Sequence, residues 1–90
     1  MISRVEAKNI AGGVLRNTFD IEDLLKVKKR LCSEESVAHN TLTVSFGVFD
    51  DEKAEDGKTY ASVILTVEVN MKDATTKITF KNDEILQKAS

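Results

Sequence analysis

Between Ala61 and Met71 every odd-numbered residue is apolar: Ala61, Val63, Leu65, Val67, Val69 and Met71. Successive side chains of a strand point to opposite faces, so a run of period two places one set of residues on a core. The even positions, Tyr60, Ser62, Ile64, Thr66, Glu68 and Asn70, are mixed, and the second face is expected to be only partly wet. One such strand is not stable alone. It needs neighbouring strands and a layer to cover its apolar side.

Two further runs supply the neighbours. Leu42, Val44, Phe46 and Val48 alternate with Thr43, Ser45, Gly47 and Phe49, and Ile78 and Phe80 alternate with Lys77, Thr79 and Lys81. Short connections between consecutive strands favour antiparallel pairing. Residues 71–75 read as one turn and the acidic stretch Asp50–Thr59 as another connection. The covering layer is expected from a helix over Asp20–Ser33. Asp20 suits its N-cap, Glu22 and Asp23 its first turn, and Phe19 with Leu24 a hydrophobic staple. Ile21, Leu24, Leu25, Leu31 and Cys32 follow helical spacing, and Lys26, Lys28, Lys29 and Arg30 suit the negative end of its dipole. Ser33–Asn40 reads as a polar connector, and residues 82–90 as a last helical turn or a frayed end. Ile2–Ile10 reads as an edge strand or a short helical turn, the strand being preferred, and is ended by Gly12 and Gly13, whose freedom at positive φ favours a turn. The expected fold is α+β, a three- or four-stranded antiparallel sheet with one helix packed on one face, in the order β-α-β-β-β. The expected inner layer is Leu42, Val44, Phe46, Val48, Val63, Leu65, Val67, Val69, Ile78 and Phe80 against Leu24, Leu25, Leu31 and Cys32.

Ninety residues, 41% apolar and 31% charged, fit one globular domain spanning 1–90. A net charge of −2 offers no general attraction to nucleic acid or to anionic membranes. No segment reaches the roughly 20 apolar residues of a membrane-spanning helix, and residues 1–13 lack the apolar run of a signal peptide. Cys32 is the one cysteine, so no internal disulfide forms, which accords with a cytoplasmic location.

The chemistry-bearing residues are few. His39 is the one histidine; it lies in the polar connector, while Cys32 lies on the apolar stripe, so neither a Cys–His nucleophile nor a zinc site is expected. In the acidic stretch, setting Gly57 at position six of a calcium loop puts Ala54 and Val63 at ligand positions, where neither offers a side-chain oxygen. No metal, no cofactor and no catalytic residue is expected. The basic patch Lys26, Lys28, Lys29 and Arg30, extended by Lys77 and Lys81, is the one nucleic-acid candidate. A charge run on a helix, with Glu22 placed to pair with Lys26, reads first as a solvated face.

The second sheet face is the most informative surface. Phe49, Tyr60 and Ile64 are expected to point away from the core, making that face more apolar than solvation requires. This strip is either covered by the N-terminal segment or the C-terminal tail or is the candidate site for another protein or a second copy of the chain. An open sheet edge offers a second route through β-augmentation. The leading expectation is a non-enzymatic binding module, an adaptor or inhibitor such as phages use. Ile2-Ser-Arg-Val-Glu-Ala-Lys-Asn-Ile10, Leu42-Thr-Val-Ser-Phe-Gly-Val48, Asp56-Gly57 and Tyr60-Ala-Ser-Val-Ile-Leu-Thr-Val-Glu-Val69 together resemble the SecB-like export and antitoxin-associated chaperones. The likeness covers about half the chain and rests on strand patterning. It implies a four-stranded antiparallel sheet that assembles and holds unfolded clients on apolar grooves. A helix between the first two strands, and an end before that family's C-terminal helices, are where this chain departs from it.

Overall fold

The computed structural model describes the backbone of residues 1–26, 29–55 and 58–82 and the side chains of 1–23, 30–49 and 62–82. Its elements are α1 (Arg4–Thr18), α2 (Ile21–Lys26), β1 (Lys29–Ala38), β2 (Thr41–Glu55), β3 (Lys58–Asn70) and β4 (Thr76–Lys81). The strands form one four-stranded sheet in the order β1-β2-β3-β4, every neighbouring pair antiparallel. Helix α1 packs on β2 and β3, which makes the fold α+β with a helix on one face of an antiparallel sheet. Both helices precede all four strands, so the order of elements is α-α-β-β-β-β rather than β-α-β-β-β.

The covering helix is therefore not the one expected. Residues 2–10 form no strand, and Gly12 and Gly13 lie inside α1 rather than in a turn. The physical reason is local as well as tertiary. Ser3 caps the helix, its Oγ accepting from Glu6 N at 3.1 Å, in a Ser-x-x-Glu capping arrangement. Ala7, Ile10, Ala11, Val14, Leu15 and Thr18 recur at helical spacing, and Ala7, Ala11 and Leu15 are buried against the sheet. Burial of this stripe outweighs the roughly 1 kcal/mol that each glycine costs in a helix. Arg4 and Lys8 reach Glu35 of β1 at 3.0 and 3.7 Å, fastening the first turns of α1 over the sheet.

The second helix begins where expected, with Asp20 Oδ1 accepting from Asp23 N at 3.1 Å, but it stops at Lys26. From Lys29 the chain is strand, paired with β2 over ten residues from Lys29↔Asp50 to Ala38↔Thr41. Leu31 and Cys32 are thus half-buried strand residues, and the expected polar connector is the second half of β1. Cross-strand hydrogen bonding, not an apolar pattern of its own, makes this segment a strand. Phe19 is 1% exposed in the core itself rather than the outer half of a staple, and Leu24 and Leu25 lie outside the described side chains. The stretch Asp50–Thr59, expected as a connection, continues β2 to Glu55 and β3 from Lys58.

Between β1 and β2 the link is His39–Asn40, both at positive φ (52° and 59°), as a two-residue hairpin turn requires. The turn between β3 and β4 falls on residues 71–75 as expected. There Asp73 Oδ1 accepts from Thr75 N at 3.0 Å and from Thr75 Oγ1 at 2.7 Å.

Two irregularities in the sheet decide which residues face the helix. Phe46 opposes Leu65 while Gly47 opposes Val63, so Ile64 is an extra residue in β3. Below it the inner set is as expected: Leu42, Val44 and Phe46 against Val69, Val67 and Leu65, all buried. Above it the faces exchange. Ile64 turns inward, 0% exposed, and Val63, expected in the core, turns outward, 45% exposed. A second shift, between Thr66↔Phe80 and Val67↔Ile78, leaves Thr79 extra in β4 and carries Phe80 to the outer face as well. Ile78 keeps its inward orientation but lies at the sheet edge, 44% exposed.

Candidate functional site

The outer face is the one turned away from α1, and the strand register orders it into rows. At one end Arg30, Phe49 and Ala61 stand side by side, followed by Cys32, Gly47 and Val63. Next come Glu34, Ser45, Thr66 and Phe80, and then Ser36, Thr43, Glu68 and Lys77. The apolar end is a diagonal, with Phe49, Val63 and Phe80 in three successive rows, and its last row also carries Glu34, Ser45 and Thr66. Helix α1 lies on the opposite face.

Local chemistry explains the shape of the apolar end. The Arg30 guanidinium lies 5.6 Å from the centre of the Phe49 ring, a cation–π contact worth about 0.5–1 kcal/mol at an exposed position. It half-covers Phe49 and leaves Val63 and Phe80, 45% and 47% exposed, as the open apolar groups. Gly47 keeps the centre flat, because a Cβ there would stand 3.0 Å from Ser62 O and 3.3 Å from Cys32 Sγ. Beside this patch Ser45 and Thr66 share a hydrogen bond of 3.2 Å, and Thr79 Oγ1 donates to Thr66 O at 3.4 Å. A solvent-facing apolar cluster with satisfied hydroxyls along its border suits contact with another polypeptide.

The expected site is thus displaced rather than absent. Phe49 holds its place on the outer face. Ile64 does not: the bulge buries it in the core, so it forms no part of a surface. The Tyr60 side chain lies outside those described. Of the basic patch, Arg30 is not on a helix but on β1, stacked over Phe49; the Lys26 and Lys29 side chains, and Lys28 altogether, lie outside the described residues. Lys77 faces outward opposite Glu68, whereas Lys81 opposes Leu65 on the helix side. Val63 and Phe80 are the surface residues that alternation alone misses. The signal for Val63 is the consecutive apolar trio Val63, Ile64 and Leu65, which a regular half-buried strand does not need, whereas Ile78-Thr79-Phe80 alternates regularly and gives none for Phe80.

His39 lies in the hairpin turn, not beside Cys32, which sits on the outer face next to Gly47. Among the described residues no group of three or more His, Cys, Asp or Glu side chains could hold a metal ion. No described helix is long and apolar enough to cross a membrane. Neither a family model, nor a curated protein, nor a solved structure matches the chain, and its function is to be argued from this surface.

Proposed function

We propose that the chain is a non-enzymatic protein-binding module of the cytoplasm that engages another polypeptide through the apolar end of its outer sheet face. The observation that carries this reading is the exposed pair Val63 and Phe80 on the diagonal from Phe49, on the face turned away from α1. Burying such groups in a partner is favourable by about 25 cal/mol per Å² of apolar surface before the costs of association. The discriminating experiment introduces a charge there. Val63→Lys leaves the inner layer intact, so the protein should stay folded by circular dichroism while a partner recovered by affinity capture from its host is lost. Retention of that partner by a folded Val63→Lys protein removes the proposal.

A second reading is a chaperone that holds unfolded clients, in the manner of the SecB-like proteins. It is supported by the uninterrupted run of four antiparallel strands, both helices coming before them. A chaperone suppresses aggregation of an unrelated unfolding protein in proportion to its concentration, and an adaptor for one defined partner does not. Nucleic-acid binding is the weakest reading, since the net charge is −2 and Lys77 stands opposite Glu68.

A further inference from the structure

Strand β1 is an edge of the sheet, and its sequence is complementary to itself when reversed. Lys29 and Arg30 precede Cys32 by three and two positions, and Glu34 and Glu35 follow it by two and three. We propose that the chain forms a two-fold dimer by antiparallel pairing of β1 with β1 of a second copy, centred on Cys32, joining two four-stranded sheets into one. This inference is independent of what the outer face binds.

The register follows from faces and charges. A two-fold axis perpendicular to the sheet keeps both outer faces on the same side, so residues that oppose each other must belong to the same face. Only pairings centred on a residue meet that condition. Centring on Cys32 sets Arg30 against Glu34 of the second copy on the outer face, twice by symmetry, with Lys29 opposing Glu35. Centring one residue earlier, on Leu31, sets Arg30 against Cys32. Centring one residue later, on Ser33, sets Glu34 against Cys32, and centring on Glu34 sets like charges together. Opposite charges directly across an antiparallel pair stabilise it and like charges destabilise it. Of these registers the Cys32 one alone opposes both Lys29 and Arg30 to carboxylates.

The occupant is a second copy meeting this edge, not the other. All six residues of β4 are exposed, but pairing β4 with itself about Thr79 would put Lys77 against Lys81, and the bulge at Thr79 breaks the ladder. Lysines and bulges are how edges are blunted against self-pairing. β1 also carries charges, but they are of both signs and in self-complementary order, and its register with β2 is unbroken from end to end. Glu34 is exposed, and the Cys32 side chain lies on the outer face over Gly47. A β4-to-β1 contact would be head-to-tail and open-ended, whereas the β1 pair closes on itself.

The test is a charge swap in the full chain, read by sedimentation equilibrium at low salt, with circular dichroism as the check on folding. The wild type should be dimeric at about 100 µM, and Arg30→Glu or Glu34→Arg should each weaken the dimer about tenfold or more. The double variant Arg30→Glu/Glu34→Arg should restore it, since the swapped charges again oppose. Mild oxidation should join wild-type chains through Cys32, and the single variants should be joined more slowly. A monomeric wild type overturns the proposal. So does a dimer that ignores both single reversals, or a folded double variant that stays dissociated. Loss of the dimer in Val63→Lys overturns it too, by locating self-association on the outer face.

Discussion

Ile64 and Leu65 are consecutive in β3 and both fully buried, at 0% exposure. Regular alternation forbids that, and the bulge opposite Phe46 and Gly47 permits it. The apolar surface of the outer face follows from the same irregularity, because turning Ile64 inward turns Val63 outward.

Ile64 and Val63 should consequently respond in opposite ways. Ile64→Ala should cost about 2–5 kcal/mol, the usual range for emptying a fully buried aliphatic site. Val63→Ala should stay within about 0.5 kcal/mol, as surface substitutions do. Urea melts of the two variants decide it, and equal losses would mean that β3 runs without the bulge.

Gly13 of α1 is an opportunity for stabilisation. A Cβ placed there meets nothing within 4 Å, so Gly13→Ala should gain about 0.5–1 kcal/mol from restricted backbone entropy. For a domain of this size that is a rise of several degrees in Tm, on the order of 2–8 °C. An unchanged or lower Tm would contradict a helix through residues 12–13.

Ala74 calls for the reverse substitution. Its φ of 62° lies in the left-handed region, where a Cβ costs roughly 1–2 kcal/mol. Ala74→Gly should recover part of this, raising stability by about 1 kcal/mol in a denaturant melt. The Ala74 N donation to Asn70 O, 2.7 Å long, is kept.

Acid should weaken the same turn. The hydroxyl and the amide of Thr75 donate to Asp73 and hold its carboxyl below the usual 3.8. A carboxyl lowered in the folded state adds stability that is present above its unfolded pKa and lost as pH falls through the folded one. Asp73→Ala should therefore melt below the wild type at neutral pH, and the gap should narrow as pH drops beneath 3.8. A gap that is constant with pH would assign the effect to turn geometry rather than to charge.

Legibility in the sequence followed the physics of each element. β2 and the lower half of β3 were legible because one face of each is buried and the other is wet, and the turn at 71–75 because the alternation stops there. α1 was obscured by Gly12 and Gly13, which favour a break locally, although Ser3, Glu6 and the stripe from Ala7 to Thr18 carried the opposite message. β1 was hidden because its stability resides in hydrogen bonds to β2, and its Leu31 and Cys32 fit a helical stripe equally well. The candidate surface was legible in kind but not in its residues. Alternation assigns Ile64 to it and omits Val63 and Phe80, since a single extra residue exchanges every face beyond it.

Helix α1 precedes in the chain every strand it packs on. Ile2 N donates to Met71 O at 2.8 Å, and the buried stripe of α1 rests on β2 and β3. At a translation rate of about 5–20 residues per second, that acceptor follows its donor by about 3–14 seconds. During this interval β1 and β2 are made first, and the stripe of Ala7, Ala11, Leu15 and Phe19 lacks the β3 part of its support until the end. The β hairpins close between neighbours in sequence, whereas docking of α1 spans most of the chain. Long-range closure of this kind slows folding, so docking of α1 sets a longer wait than the closing of any hairpin.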